Sequence, residues 1–166
     1  MIYMLSSVNK INLKKLKDPF LIYKPKILKQ SVNYFKKNFS GEALYAVKAN
    51  PSKFVLKKIY ELGIRSFDVA SINEIKLVKN LFDNSKIFFM NPVKPRHVIN
   101  EAYHKYGVRD FSLDNDAELH KILESTGSAK DLNLHLRISV PNNSSKINLS
   151  KKFGTDGFKS KVLLNK

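Results

Sequence analysis

At 166 residues, with 43% hydrophobic and 11% aromatic side chains, the chain has the apolar content of a folded domain rather than of a disordered tail. It contains no cysteine, which excludes a disulfide framework, a thiolate metal site and a cysteine nucleophile within these residues. The formal net charge of +16 invites a polyanion partner. However, lysines are spread over almost every segment, arginine occurs only at Arg65, Arg96, Arg109 and Arg137, and no RNP-like string or zinc-finger spacing is present. A solvated, lysine-biased surface is the better reading, with no specific nucleic-acid partner.

The amino terminus, MIYMLSSVNK, has no basic residue ahead of its apolar stretch and no small-residue cleavage site, and no segment approaches the roughly 20 apolar residues of a membrane span. A cytoplasmic protein without a membrane partner is expected. Next, "DPFLIYKPKILKQSVNYFKKNF" predicts a short strand over Phe20–Tyr23 and a helix carrying Ile27, Leu28, Val32 and Phe35. Five strand-like runs follow: "YAVKANP" from Tyr45, "FDVAS" from Phe67, "FFMNP" from Phe88, "FSLDN" from Phe111 and "LHLRISV" from Leu134. Their starts lie 22, 21, 23 and 23 residues apart. Between them sit helix-period stretches such as Phe54, Val55, Lys58, Ile59, Leu62 and Ile75, Val78, Leu81, Phe82. Gly63, Gly107 and Gly127 follow these stretches as helix-ending glycines should. Alternation at this period is the mark of stacked βα units, hence an α/β fold with a parallel sheet or a (β/α)8 barrel of which about five of eight strands are present. "DGFKSKVLLNK" predicts a further amphipathic helix carrying Phe158, Val162 and Leu163, with the chain stopping before the barrel is complete.

In such folds the carboxyl ends of the strands carry the site. Lys48, Asp68, Asn91, Asp114 and Arg137 all fall there, and their convergence predicts a pocket. The apolar neighbours Leu44, Ala46 and Val47 predict partial desolvation of the Lys48 amine, the condition that makes a lysine a nucleophile toward carbonyls. A strand-end lysine also reaches solvent by its length alone, and spacing by itself favours that simpler reading. Ser71 and Glu74 in "SINE" stand in capping-box register, as do Asn115 and Glu118 in "NDAE", and both glutamates read first as helix caps. Asp68 is either a strand-end hydrogen-bond anchor or a partner of Arg137. His97, His104, His120 and His135 show no close ligand spacing, so no metal site is expected, and "GTDG" is too generic for a phosphate loop.

"YAVKANP", "FDVASINEI", "FFMNPVKPR", "YGVRDFSLDNDAELHKI", "LHLRISV" and "KFG", in this order and spacing, resemble the pyridoxal-phosphate-dependent ornithine/diaminopimelate/arginine decarboxylases of the alanine-racemase-like barrel fold, ornithine decarboxylase in particular. The resemblance runs from about Asp18 to the end. It implies residues 1–24 as an amino-terminal extension and leading strand, and residues 25–166 as the amino-terminal part of a pyridoxal-phosphate-binding TIM barrel. It also implies a carboxy-lyase that converts ornithine to putrescine in polyamine biosynthesis, with lysine or diaminopimelate as other substrates, and a homodimer at full length. A non-catalytic regulatory relative of the decarboxylases is the second reading.

The resemblance assigns Lys48 as the lysine that forms a Schiff base with the cofactor and Glu74 as the carboxylate on its pyridine nitrogen. Asp68 matches the acid beside that lysine, Ala46 a small residue that gives the cofactor room, and Arg137 an arginine that orients its surroundings. The family's stacking histidine, glycine-rich phosphate loops and carboxyl-terminal β domain are expected beyond Lys166; His135 does not match the stacking histidine. These residues by themselves are therefore expected to be inactive.

Overall fold

The computed structural model describes residues 2–4, 21–140 and 153–165. Strands β1 (Ile2–Met4) and β2 (Leu21–Tyr23) pair in parallel as a small separate sheet. The expected leading strand is thus present over Leu21–Tyr23, and Phe20 lies outside the described residues. Helix α1 (Pro25–Asn38) starts on a proline, whose missing N–H and fixed φ suit a first helical turn. Tyr23 meets Phe54 edge-on, with ring centroids 4.9 Å apart, which ties the small sheet to the main layer.

The main sheet holds β3 (Leu44–Ala46), β4 (Ser66–Val69), β5 (Lys86–Phe89), β6 (Asp110–Leu113) and β7 (Asn133–Leu136), all parallel and in sequence order. Helices α2 (Lys53–Glu61), α3 (Ile72–Leu81), α4 (Arg96–Tyr106) and α5 (Asp116–Ser125) make the crossovers. All five strand runs and the helices between them fall where the period places them. Leu44 pairs with Ser66 and Ser66 with Lys86, but the next step pairs Phe88 with Asp110, a slip of two residues along β5. Such stagger is what a sheet needs to tilt its strands and curl toward a barrel.

Alternation along each strand separates two faces. Phe67, Val69, Ile87, Phe89, Phe111 and Leu113 point to the helices and pack with Leu56, Ile75, Val78, Ile99 and Ile122 into one continuous core. Each fully buried side chain of this size contributes about 1.5–3 kcal/mol, so this layer holds the sheet and positions its strand ends. The opposite, concave face is mostly polar, with Phe88 set among its polar groups. Ser66 bonds Glu42, Glu42 pairs with Lys86 at 3.2 Å, and Asp110 meets His135 at 2.9 Å.

Two boundaries differ from expectation. The fifth run predicts a strand to Val140, but β7 ends at Leu136, and Ile138 then bridges Thr155 in parallel, placing the residues after Phe153 beside β7. Gly154 makes this possible: its φ is +97°, and a Cβ there would sit 2.7 Å from the Ser139 backbone nitrogen. Gly154→Ala is therefore expected to destabilise the protein by about 1–3 kcal/mol, measurable by urea denaturation. The second difference is in α6 (Gly157–Leu164), where the expected Phe158 and Val162 are exposed and the packing falls to Leu163 and Ser160. "GTDG" itself supplies the Thr155 bridge and the Asp156 cap, whose carboxylate accepts the Lys159 N–H at 2.8 Å.

Candidate active site

The carboxyl ends of the strands meet at one cavity of about 570 Å³, a size typical of small-molecule sites. Lys48 and Asp68 border it from the β3 and β4 side, Met90 and Asn91 from the end of β5, Ser112 from β6, and His135 and Arg137 from β7, with Phe153 beyond. Four of the five polar strand-end residues singled out in the sequence thus share one wall. Asp114 is the exception, because its carboxylate accepts the Gly154 N–H at 2.9 Å and anchors the turn outside the cavity.

Lys48 corrects the sequence reading of its environment. β3 ends at Ala46, and Val47–Ala49 form a single 3₁₀ turn, so Val47 takes the fully buried place and Lys48 is exposed at the cavity rather than desolvated within the strand. The strand alternation that would have put Ala46 and Lys48 on one face stops there. Ala46 is half-buried at the end of β3, set back from the wall. Asp68 is half-buried beside Lys48. Burial raises its carboxyl above the ordinary value, and the Lys48 ammonium offsets part of that rise.

Arg137 stacks on the Phe153 ring at 5.2 Å, and no ion pair joins it to Asp68 among the described residues. Its backbone N–H donates to the Leu113 carbonyl at 2.8 Å, which continues the β6–β7 ladder past the end of the strand and fixes where the guanidinium begins. Glu74 forms the expected cap: its N–H donates to Ser71 Oγ at 3.3 Å, and its Oε2 accepts the Ala70 N–H at 2.8 Å. Ala70 lies on the cavity wall, and Glu74 reaches that wall through this bond without lining the cavity itself.

A second layer lies under the wall, and the sequence reading misses it. The Lys94 side chain is fully buried, with Nζ 3.0 Å from Glu118 Oε1, 2.9 Å from the Asn91 carbonyl and 2.5 Å from the Ser112 carbonyl. Glu118 also meets Lys121 at 2.5 Å. Burial lowers the Lys94 pKa, and Glu118 opposes the shift. Asn115 caps α5 by accepting the Glu118 N–H at 2.9 Å, as its register predicts, but the Glu118 carboxylate turns inward to the lysines. A lysine between two prolines carries no sequence signal for burial. The polar Ser112 between Phe111 and Leu113 does carry one for an inward-facing position.

The family profile described as "Pyridoxal-dependent decarboxylase, pyridoxal binding domain" matches residues 26–165. The chain belongs to the pyridoxal-dependent decarboxylases. It is 32% identical over 143 residues to the lysine/ornithine decarboxylase of Selenomonas ruminantium, covering 85% of this chain and 35% of that protein. Antizyme inhibitor 2 of Xenopus laevis is 36% identical over 129 residues, 77% of this chain and 27% of that protein. A solved SrLDC mutant in complex with PLP superposes with a TM-score of 0.76 at 30% identity, over 92% of this chain and 39% of that one. The chain spans about a third of the length of the relatives it matches. The five-stranded arc is accordingly part of the decarboxylase (β/α)8 barrel, with the cavity at the barrel end where loops carry the chemistry. No helix among the described residues is long and apolar enough to cross a membrane.

Proposed function

We propose that this chain carries the cofactor-anchoring site of an ornithine-type amino-acid decarboxylase, which converts ornithine to putrescine and CO₂ in a cytoplasmic homodimer. The observation that carries this reading is the meeting of an accessible amine, Lys48, with a half-buried carboxyl, Asp68, on a cavity wall at the strand ends of a decarboxylase barrel.

The donor set fits the aldehyde and ring end of pyridoxal phosphate: Lys48 supplies an amine for the aldehyde, Asp68 an acid beside it and Arg137 a cation at the far side, while Ala46, the small residue assigned by the resemblance, lies behind the wall. When bound, that cofactor supplies the conjugated ring that accepts the electrons released as the substrate carboxylate leaves as CO₂. Lys48 would hold the cofactor through its aldehyde carbon, and its amine is the group that a substrate amine would replace. Asp68, whose proton affinity is raised by burial, keeps a proton-exchanging group next to Lys48 Nζ. Arg137, fixed by its Phe153 stack and its ladder bond, orients the opposite wall. Glu74 is the carboxylate assigned to the ring nitrogen; held on the Ala70 N–H, it fills that role only by sharing or leaving this bond.

Titration of the chain with pyridoxal phosphate is expected to produce a visible absorbance band that Lys48→Ala abolishes; a band of equal size in that variant would remove the assignment. CO₂ release from labelled ornithine, lysine and diaminopimelate, compared side by side, tests the substrate. The likeness to antizyme inhibitor 2 supports a second reading, a non-catalytic regulator built on the same barrel. Lys48 beside Asp68 favours the enzyme, and a lack of CO₂ release from any amino acid by the dimeric protein would favour the regulator.

A further inference from the structure

Among the described residues, the wall of the cavity contains one buried side-chain polar atom without a hydrogen-bond partner. Ser112 is 4% exposed, and its hydroxyl has no hydrogen-bond partner among the described residues. Its strand neighbours Phe111 and Leu113 belong to the helix-side core, so the alternation sends Ser112 to the concave face, where it lines the cavity. The other inward residue of β6, Asp110, is satisfied by His135. Buried hydroxyls are ordinarily partnered, and leaving one unpaired is destabilising. The Ser125 hydroxyl is also unpaired among the described residues but lies away from the cavity, so what distinguishes Ser112 is its place on the cavity wall, where a partner can arrive.

The position of that hydroxyl is fixed from behind. The Lys94 ammonium bonds the Ser112 and Asn91 carbonyls together and is itself neutralised by Glu118. β6 therefore cannot turn to offer the hydroxyl a backbone partner without breaking a buried charged bond. The wall around Ser112 holds Asn91, His135 and Arg137, all polar; His135 is engaged by Asp110 through Nε2, which leaves Asn91 and Arg137 to face a ligand with hydrogen-bonding substituents.

We infer that Ser112 is a ligand-binding residue, whose hydroxyl completes its hydrogen bonding on the group bound between Lys48 and Arg137. On the proposed function, on which this inference rests, that group is pyridoxal phosphate. Lys94 is then a positioning residue for Ser112.

The test compares wild type, Ser112→Ala, Ser112→Thr and Lys48→Ala by pyridoxal phosphate titration and by thermal melting without the cofactor. Ser112→Ala is expected to weaken binding about 5- to 30-fold while its cofactor-free melting temperature stays level or rises, because nothing satisfied is lost in that state. Ser112→Thr, which keeps the hydroxyl, is expected to restore most of the affinity. Unchanged affinity in Ser112→Ala, with wild-type binding still dependent on Lys48, would overturn the Ser112 inference and leave the cofactor reading intact. A drop in the cofactor-free melting temperature of Ser112→Ala would overturn it too, by showing that the hydroxyl already has a structural partner. Wild-type binding that did not depend on Lys48 would remove the cofactor reading and this inference with it.

Discussion

Lys94→Met is expected to lower stability by about 3 kcal/mol, the low end of the range for breaking a buried ion pair, and to reduce the melting temperature by roughly 6–12 °C. The substitution keeps the length and apolar stem of the side chain but leaves the Glu118 carboxylate, itself 2% exposed, with Lys121 as its remaining cation. It also frees the Asn91 and Ser112 carbonyls, which Lys94 joins across β5 and β6. The double variant Lys94→Met/Glu118→Leu removes the stranded charge and is expected to recover most of the loss, since the penalty for an unpaired buried ion exceeds the net worth of the pair. A double-mutant cycle by chemical denaturation measures the difference. Additive losses would mean that the two groups act independently and that the wall is not held in this way.

The pH dependence has a definite sign. The folded-state pKa of Lys94 lies below that of an unfolded lysine, chiefly through burial. Between the two values the unfolded chain binds the extra proton, so this group makes stability rise with pH through the alkaline window below the ordinary lysine range. Subtracting the Lys94→Met profile from the wild-type profile isolates that contribution. A difference that falls with pH over the same window would contradict the direction of the shift.

The fold was legible because each βα unit buries one face of a strand and one stripe of a helix, and both periods are written in the residues. Phe67 with Val69, and Ile75 with Val78, mark β4 and α3 without any tertiary information. The strand ends were legible for the same reason, since a polar residue closing an apolar run marks where the strand leaves the core and meets the solvent-filled mouth of the barrel. What could not be read was decided by contacts between distant segments. Lys48 looks desolvated by its apolar neighbours, but a 3₁₀ turn gives the buried place to Val47. Glu118 looks like half of a capping box and is recruited by two lysines, Lys94 and Lys121. Asp114 leaves the site because Gly154, forty residues away, offers it an N–H. Phe158 and Val162 keep a helical spacing, yet the packing of α6 selects Leu163.

The largest functional effect is expected at Lys48. Many lysines on this surface react with an aldehyde, but Lys48 alone among the described residues combines an exposed amine, a wall of polar strand ends and a neighbouring acid whose proton affinity is raised by burial. Lys94, the other lysine near the cavity, is fully enclosed, and its ammonium is occupied by Glu118 and two carbonyls. Covalent capture at low cofactor concentration should therefore discriminate sharply among them, because a cavity that orients the aldehyde converts an encounter into an intramolecular step.

The most direct measurement is reductive trapping with borohydride at no more than one equivalent of pyridoxal phosphate, followed by peptide mass mapping. The adduct is expected on the peptide carrying Lys48, and Lys48→Ala is expected to reduce total labelling to the scattered background of surface lysines. An adduct distributed over surface lysines in the wild type, or undiminished labelling in Lys48→Ala, would contradict the account.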